Sequence, residues 1–225
     1  MKATFVLVHG AWAGAWWWQR VVDRLLARGH RVHAPTLSGL GERSHLAACT
    51  INLTTHINDI VNEINWKDLD QVVLVGHSYG GLVITGVAEA IGDRITSIVY
   101  VDAFVPADGQ SFADLASLVI PRRRTIPSPP SAPGDMRNEA DRAMSNSKAT
   151  PQPTPTFTEK LRITGAYQRV PKKTYIVATG WRGPFAATVA TARADPSWRV
   201  YEIACGHHVA LDQPDELVAR LESSI

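Results

Sequence analysis

Residues 72–88 read Val72-Val73-Leu74-Val75-Gly76-His77-Ser78-Tyr79-Gly80-Gly81-Leu82-Val83-Ile84-Thr85-Gly86-Val87-Ala88. An apolar, β-branched run leads into Gly-x-Ser-x-Gly, and an apolar run of helical character follows. In that context the pattern describes a sharp strand-to-helix turn that lifts a serine hydroxyl above a sheet. Glycines on either side tolerate the crowded backbone. The helix that follows aims its free amides and partial positive charge at the same point. A glycine-rich turn with an incidental serine would need neither the flanking elements nor the extra Gly81. Ser78 is therefore the candidate nucleophile. A serine there argues against dehalogenase chemistry, which requires a carboxylate nucleophile.

Outward from this turn, short β-rich runs alternate with helical patterns, the rhythm of a mostly parallel sheet covered on both faces. Strands are expected at Thr4–Val8, Arg31–Ala34, Gln71–Val75, Ile95–Val101, Thr174–Ala178 and Arg199–Ile203. Helices are expected near Trp16–Arg28, Thr54–Asn65, Gly80–Ile91, Phe185–Arg193 and Pro214–Glu222. Gly29 suits a helix C-terminal cap, and Pro214 suits the first turn of the last helix.

The segment 106–171 breaks the rhythm. It is rich in proline, serine and arginine and includes Ser128-Pro129-Pro130-Ser131-Ala132-Pro133-Gly134. A structureless loop of that length would be unusual in a compact domain. The expectation is a core of residues 1–105 and 172–225 carrying an inserted lid, 106–171, with short helices near Ser111–Val119 and Arg137–Ser145. A disordered insert is the alternative. The run Arg122-Arg123-Arg124 reads as a solvated face, because no aromatic residues interleave it as nucleic-acid binding would require.

Composition sets wider bounds. The 225 residues carry a net charge of +2, with 45% hydrophobic and 20% charged side chains. That suits one globular domain and implies neither a nucleic-acid nor a membrane partner. No apolar stretch approaches the roughly 20 residues of a membrane span. The N-terminal apolar run ends in His9-Gly10 rather than at a small-residue cleavage site. With two cysteines far apart, Cys49 and Cys205, a reduced, cytoplasmic protein is expected. No metal-ligand spacing occurs, so neither metal nor cofactor is expected.

Serine needs a base and an oxyanion site. His9-Gly10-Ala11-Trp12 closes the first strand. Ala11 and Tyr79, the residue after the nucleophile, are the candidate backbone donors to a tetrahedral intermediate. Trp12 is the candidate substrate contact, while Trp16-Trp17-Trp18 read as core and rim packing. His207 follows the last strand, where loops surround the site of an open α/β sheet. It is preferred over its neighbour His208, since only one of the two can face Ser78. His9 and His77 take structural roles.

The pieces Phe5-Val6-Leu7-Val8-His9-Gly10-Ala11-Trp12, Gly76-His77-Ser78-Tyr79-Gly80-Gly81, Tyr100-Val101-Asp102-Ala103-Phe104-Val105-Pro106, Thr174-Tyr175-Ile176-Val177-Ala178-Thr179 and Gly206-His207-His208-Val209-Ala210-Leu211 together resemble a known group. It is the α/β-hydrolase fold family, in its branch of plant methylesterases, hydroxynitrile lyases and EstC-like carboxylesterases. The resemblance implies an α/β-hydrolase fold and a serine hydrolase acting on a small or medium carboxylic ester, with no cofactor. A homodimer remains open.

The family places its catalytic acid just past the strand that ends near Ala178. Here that stretch reads Thr179-Gly180-Trp181-Arg182-Gly183-Pro184, and no carboxylate lies between Glu159 and Asp195. Asp102, at the end of the strand after the nucleophile's own, is the candidate substitute. Asp212, or a site without an acid, are the alternatives. In the lyases a threonine replaces the glycine at position 10 and a lysine follows the histidine. Gly10 and His208 therefore favour hydrolysis. Acyl transfer on the same machinery and a low-turnover binding protein of this fold are the remaining readings.

Overall fold

The structure is a computed structural model and describes residues 2–225. In chain order, β1 (Thr4–Val8) leads through a 3₁₀ turn at Ala15–Trp18 into α1 (Gln19–Ala27), followed by β2 (Arg31–His33), α2 (Leu53–Trp66), β3 (Val72–His77), α3 (Gly80–Ile91) and β4 (Ile95–Val101). The inserted segment holds α4 (Phe112–Leu115), β5 (Thr125–Ile126), α5 (Glu139–Lys148), β6 (Gln152–Pro153) and α6 (Pro155–Thr158). The chain then returns through β7 (Lys172–Ala178), α7 (Ala186–Ala194), β8 (Trp198–Ile203), α8 (Val209–Asp212) and α9 (Pro214–Glu222). The expected core strands and helices are all present, with ends shifted by a few residues.

The main sheet is parallel throughout, in the order β2-β1-β3-β4-β7-β8. Side chains alternate between its faces, as the two-residue strand period requires. Val6, Val8, Val72, Leu74, Ile98, Tyr100 and Tyr175 pack under α2 and α3. Phe5, Leu7, Val73, Val75, Val99, Val101 and Ile176 pack under α1 and α9. Burial on both faces explains why these strands read as continuous apolar runs.

The direction of chain progression reverses between β1 and β3, which makes a crevice at their carboxyl ends. The register levels those ends: Val8 pairs with Gly76, His77 with Val101, Val101 with Ile176 and Ala178 with Ile203. Residues just past five strands therefore meet along one edge.

The N-terminal helix begins later than its pattern suggests. Ala15 N–H donates to Thr36 Oγ1 and Trp17 N–H to the Gly14 carbonyl, which holds residues 15–18 in a tighter turn. At its far end Gly29 adopts φ 81°, with His30 N–H bonded to Leu25 O and Gly29 N–H to Leu26 O, the two bonds of a glycine-terminated helix.

Residues 106–171 are folded rather than structureless. Phe112, Phe157 and Leu161 join the core under α2 and α3. Two short strands pair antiparallel, and Arg20 of α1 grips Asp141 of α5 through two 2.7 Å hydrogen bonds. The helix expected over Ser111–Val119 stops after Leu115, because Ser117 takes φ 52°. The one expected over Arg137–Ser145 starts at Glu139, where the Asn138 side chain caps Ala140 N–H, and runs on to Lys148.

Candidate active site

Ser78 sits at φ 53°, a left-handed conformation that costs a non-glycine residue of order 1–3 kcal/mol. The surroundings enforce it. Ser78 N–H donates to Val101 O, and its carbonyl accepts from Gly81 and Phe104 N–H. The turn is also too tight for side chains beside it. A Cβ on Gly80 would lie 2.7 Å from Val8 O, and one on Gly76 would lie 2.7 Å from Gly80 O. The strained serine at a strand end is the turn expected from the sequence.

Ala11 and Tyr79 follow β1 and Ser78 respectively. Among the described residues neither backbone amide has an acceptor, so both remain available to a ligand. His9 fixes the loop that presents Ala11. Its Nε2 accepts from Leu37 N–H at 3.1 Å, which leaves Nδ1–H to donate to Gly10 O at 2.8 Å. Burial pulls its pKa down to about 4, so it holds this neutral tautomer at neutral pH. The Tyr79 ring is buried, and its hydroxyl donates to His56 Nδ1 at 2.9 Å.

Trp12 is held by the inserted segment at three points. Its backbone N–H donates to Gln152 Oε1 (2.8 Å), its indole N–H to Ile126 O (3.0 Å), and its carbonyl accepts from Thr150 N–H (2.9 Å). The residue adopts φ 61°. Gln152 is fully buried and passes the connection on to Thr156 Oγ1 at 2.9 Å.

His207 and Asp102 meet: His207 Nδ1–H donates to Asp102 Oδ2 at 2.7 Å. Asp102 is buried, at φ 43°, and two further donors reach its carboxylate: Ala178 N–H (3.2 Å, to Oδ1) and Trp181 Nε1–H (2.8 Å, to Oδ2). No direct hydrogen bond joins Ser78 Oγ to His207 in this structure; such contacts tighten commonly only when substrate binds. The imidazole lies between aromatic neighbours, with ring centroids 4.6 Å from Trp181, 5.8 Å from Phe185 and 4.4 Å from His77. His77 stacks on Trp17 at 3.9 Å and donates through Nε2–H to the His207 carbonyl at 3.0 Å. Burial keeps the His77 pKa well below the usual histidine value.

His208 points elsewhere. Its Nδ1 accepts from Trp17 Nε1–H at 3.3 Å, and burial, with His207 beside it, lowers its pKa to about 4. Asp212 is engaged away from His207, accepting Arg137 N–H at 3.0 Å.

These groups open into one cavity of about 750 Å³, within the range of small-ligand pockets. Ser78, Ala11, Trp12 and His207 line it. Trp16, Trp17 and Trp181 contribute aromatic wall, and Pro129, Pro130 and Pro133 of the inserted segment also line it. The core and rim packing expected for the tryptophan run is observed, with Trp17 and Trp18 buried in the core and Trp16 packed against it; Trp16 and Trp17 also line the cavity. Trp181 is a further site residue that the sequence reading passed over. Its signal was present, since it occupies the position where the resemblance puts an acid.

A strained serine, two free amides and a histidine–carboxylate pair at the carboxyl edge of a doubly covered parallel sheet define a hydrolytic enzyme. A profile of the alpha/beta hydrolase family matches residues 5–221, and the chain belongs to that family. A carbendazim hydrolyzing esterase from Nocardioides sp. (strain SG-4G) is 38% identical over 239 aligned positions, covering 97% of this chain and 98% of that protein. Methylesterase 8 of Arabidopsis thaliana is 37% identical over 107 residues, which span 47% of this chain and 39% of the plant protein. Among solved structures, an extracellular alpha/beta-hydrolase from a Paenibacillus species, described as sharing structural and functional homology with tobacco salicylic acid binding protein 2, superposes with a TM-score of 0.85 at 28% identity, covering 99% of both chains. Among the described residues no helix is long and apolar enough to cross a membrane, and no cluster of side chains suited to holding a metal ion occurs.

Proposed function

We propose that the protein is a serine esterase that cleaves a small or medium carboxylic ester through an acyl-enzyme. The observation that carries this reading is the 2.7 Å hydrogen bond from His207 Nδ1–H to Asp102. It leaves Nε2 as the nitrogen free to take a proton. Ser78 Oγ attacks the ester carbonyl while His207 Nε2 accepts its proton, and Asp102 stabilises the imidazolium. The Ala11 and Tyr79 amides hold the developing oxyanion. The tetrahedral centre collapses, His207 returns the proton to the leaving alcohol, and Ser78 keeps the acyl group. Water, deprotonated by His207, then releases the acid and restores the serine.

The names of the relatives support esters, methyl esters among them, as the substrate class. Residues 106–171 act as a lid, with the proline-rich stretch 128–134 forming the outer cavity wall. Hydrolysis is favoured over the lyase reading by the space around Gly10: a Cβ there would lie 2.8 Å from His77 Nδ1 and 3.1 Å from Ser78 Cβ. Threonine, the residue of the resembling lyases, does not fit without movement of the serine turn.

The test is hydrolysis of p-nitrophenyl acetate by Ser78→Ala, with circular dichroism as the check on folding. Activity should vanish in a folded protein. Unchanged kcat/KM would end the serine-esterase reading.

A further inference from the structure

Asp102 is held from two sides. Its Oδ2 accepts both His207 Nδ1–H (2.7 Å) and Trp181 Nε1–H (2.8 Å), while Oδ1 has only the longer contact to Ala178 N–H (3.2 Å). A carboxylate oxygen offers about two lone-pair positions. With the indole on one of them, the other is left for the histidine.

The indole is itself aimed. Gly180 N–H donates to Cys205 O at 2.8 Å, and a Cβ on Gly180 would lie 2.7 Å from the Cys205 carbonyl carbon and oxygen. Only glycine lets the loop after β7 lie this close to the loop carrying His207. The next side chain, Trp181, is thereby brought against the imidazole, 4.6 Å between ring centroids.

Indole suits this place for two reasons. Its N–H only donates and does not titrate in the working range, so it cannot compete for the proton that His207 moves. Its ring covers one side of the Asp102–His207 hydrogen bond, and excluding water there strengthens the pairing. Phenylalanine would give the cover without the donor.

We propose that Trp181 is a positioning residue of the triad: its indole N–H fixes the Asp102 carboxylate in the orientation that serves His207. The proposal rests on the assignment of Asp102 as the acid. In this chain the position where the resemblance puts a carboxylate supplies instead a hydrogen-bond donor to a carboxylate on the neighbouring strand.

The experiment compares wild type, Trp181→Phe, and a protein in which 3-benzothienylalanine replaces Trp181, keeping the bicyclic shape but exchanging N–H for sulfur. Each is assayed on p-nitrophenyl acetate across pH, with thermal unfolding as the folding check. Losing a hydrogen bond to a charged group should lower kcat about 10- to 100-fold in both variants, with KM little changed. The acid limb of kcat/KM should also move, because the set of donors on the carboxylate paired with His207 has changed. A benzothienyl protein with wild-type kcat and an unmoved acid limb would overturn the proposal and leave Trp181 a packing role. So would a loss confined to KM, which would mark it as a substrate contact. If wild type is active and Ser78→Ala and Asp102→Asn are not, any such failure falls on Trp181 alone.

Discussion

Asp102→Asn is the substitution on which the acid assignment turns. Three N–H donors converge on the carboxylate: Ala178 on Oδ1, and His207 and Trp181 on Oδ2. An amide presents one oxygen and one NH₂, so at least one donor must lose its acceptor. With the NH₂ on the Oδ2 side, two donors face a donor. His207 can then relieve the conflict only by moving its proton to Nε2, the nitrogen that must accept from Ser78. With the oxygen on that side, only the Ala178 contact is lost and the tautomer survives, but the imidazolium has no negative partner. Either arrangement strikes the transition state more than the ground state. The expected loss in kcat is about 10⁴-fold, as for an amide in place of a triad aspartate, or about 5.5 kcal/mol of barrier at 1.36 kcal/mol per tenfold. Substrate affinity should hardly change, because Asp102 is buried and does not line the cavity. Steady-state kinetics on p-nitrophenyl acetate, with thermal unfolding to confirm the fold, would measure it. A folded Asp102→Asn enzyme with kcat within tenfold of wild type would refute the reasoning and return attention to Asp212.

Two other perturbations follow from the same structure. Gln152→Ala removes the acceptor of the Trp12 amide and the partner of Thr156; it should destabilise the fold by about 1–3 kcal/mol and lower kcat, read by urea unfolding and by turnover, and an enzyme unchanged in both would show that the contact is idle. His9, His56 and His208 are each drawn by burial to about pKa 4 from an unfolded value of 6.5, so the unfolded chain binds more protons between those values. Stability should be full above about pH 6.5 and fall as pH drops toward 4; a urea midpoint that stays constant from pH 7 to pH 5 would contradict this.

Ser78 was legible because its evidence is local: strand, glycines and helix are contiguous in sequence. The position of His207 at the edge of the site was legible from its place just after the last strand. Asp102 could be nominated because the sheet forces neighbouring strand ends to one edge, and the register of β4, β7 and β8 brings it to the same edge as the loop carrying His207. Its bond to Trp181 could not be read, because 79 positions separate the pair and no pattern connects them. The inserted segment was the least legible part. Its helices are short and are limited by single features, such as the backbone of Ser117 and the Asn138 cap, which composition does not reveal. The tryptophan run packs as core and rim, as expected, but an apolar pattern could not say that Trp16 and Trp17 also line the cavity.

The three bonds on Trp12 bear on what can move. Its neighbour Ala11 presents one of the two free amides, and all three partners of Trp12 lie between residues 126 and 152. A motion that swung this whole stretch away would release the Trp12 backbone and, on the role proposed for the Ala11 amide, spoil the oxyanion site in the same stroke. Access and readiness would then be mutually exclusive states, and the enzyme would have to close before every turnover. Motion limited to the proline-rich stretch 128–134 carries no such penalty, since none of those bonds involves it. The tethering therefore separates the residues that hold Trp12 from the stretch 128–134, whose own bonds run instead from Ser131 to Asn146 and Arg142 of α5.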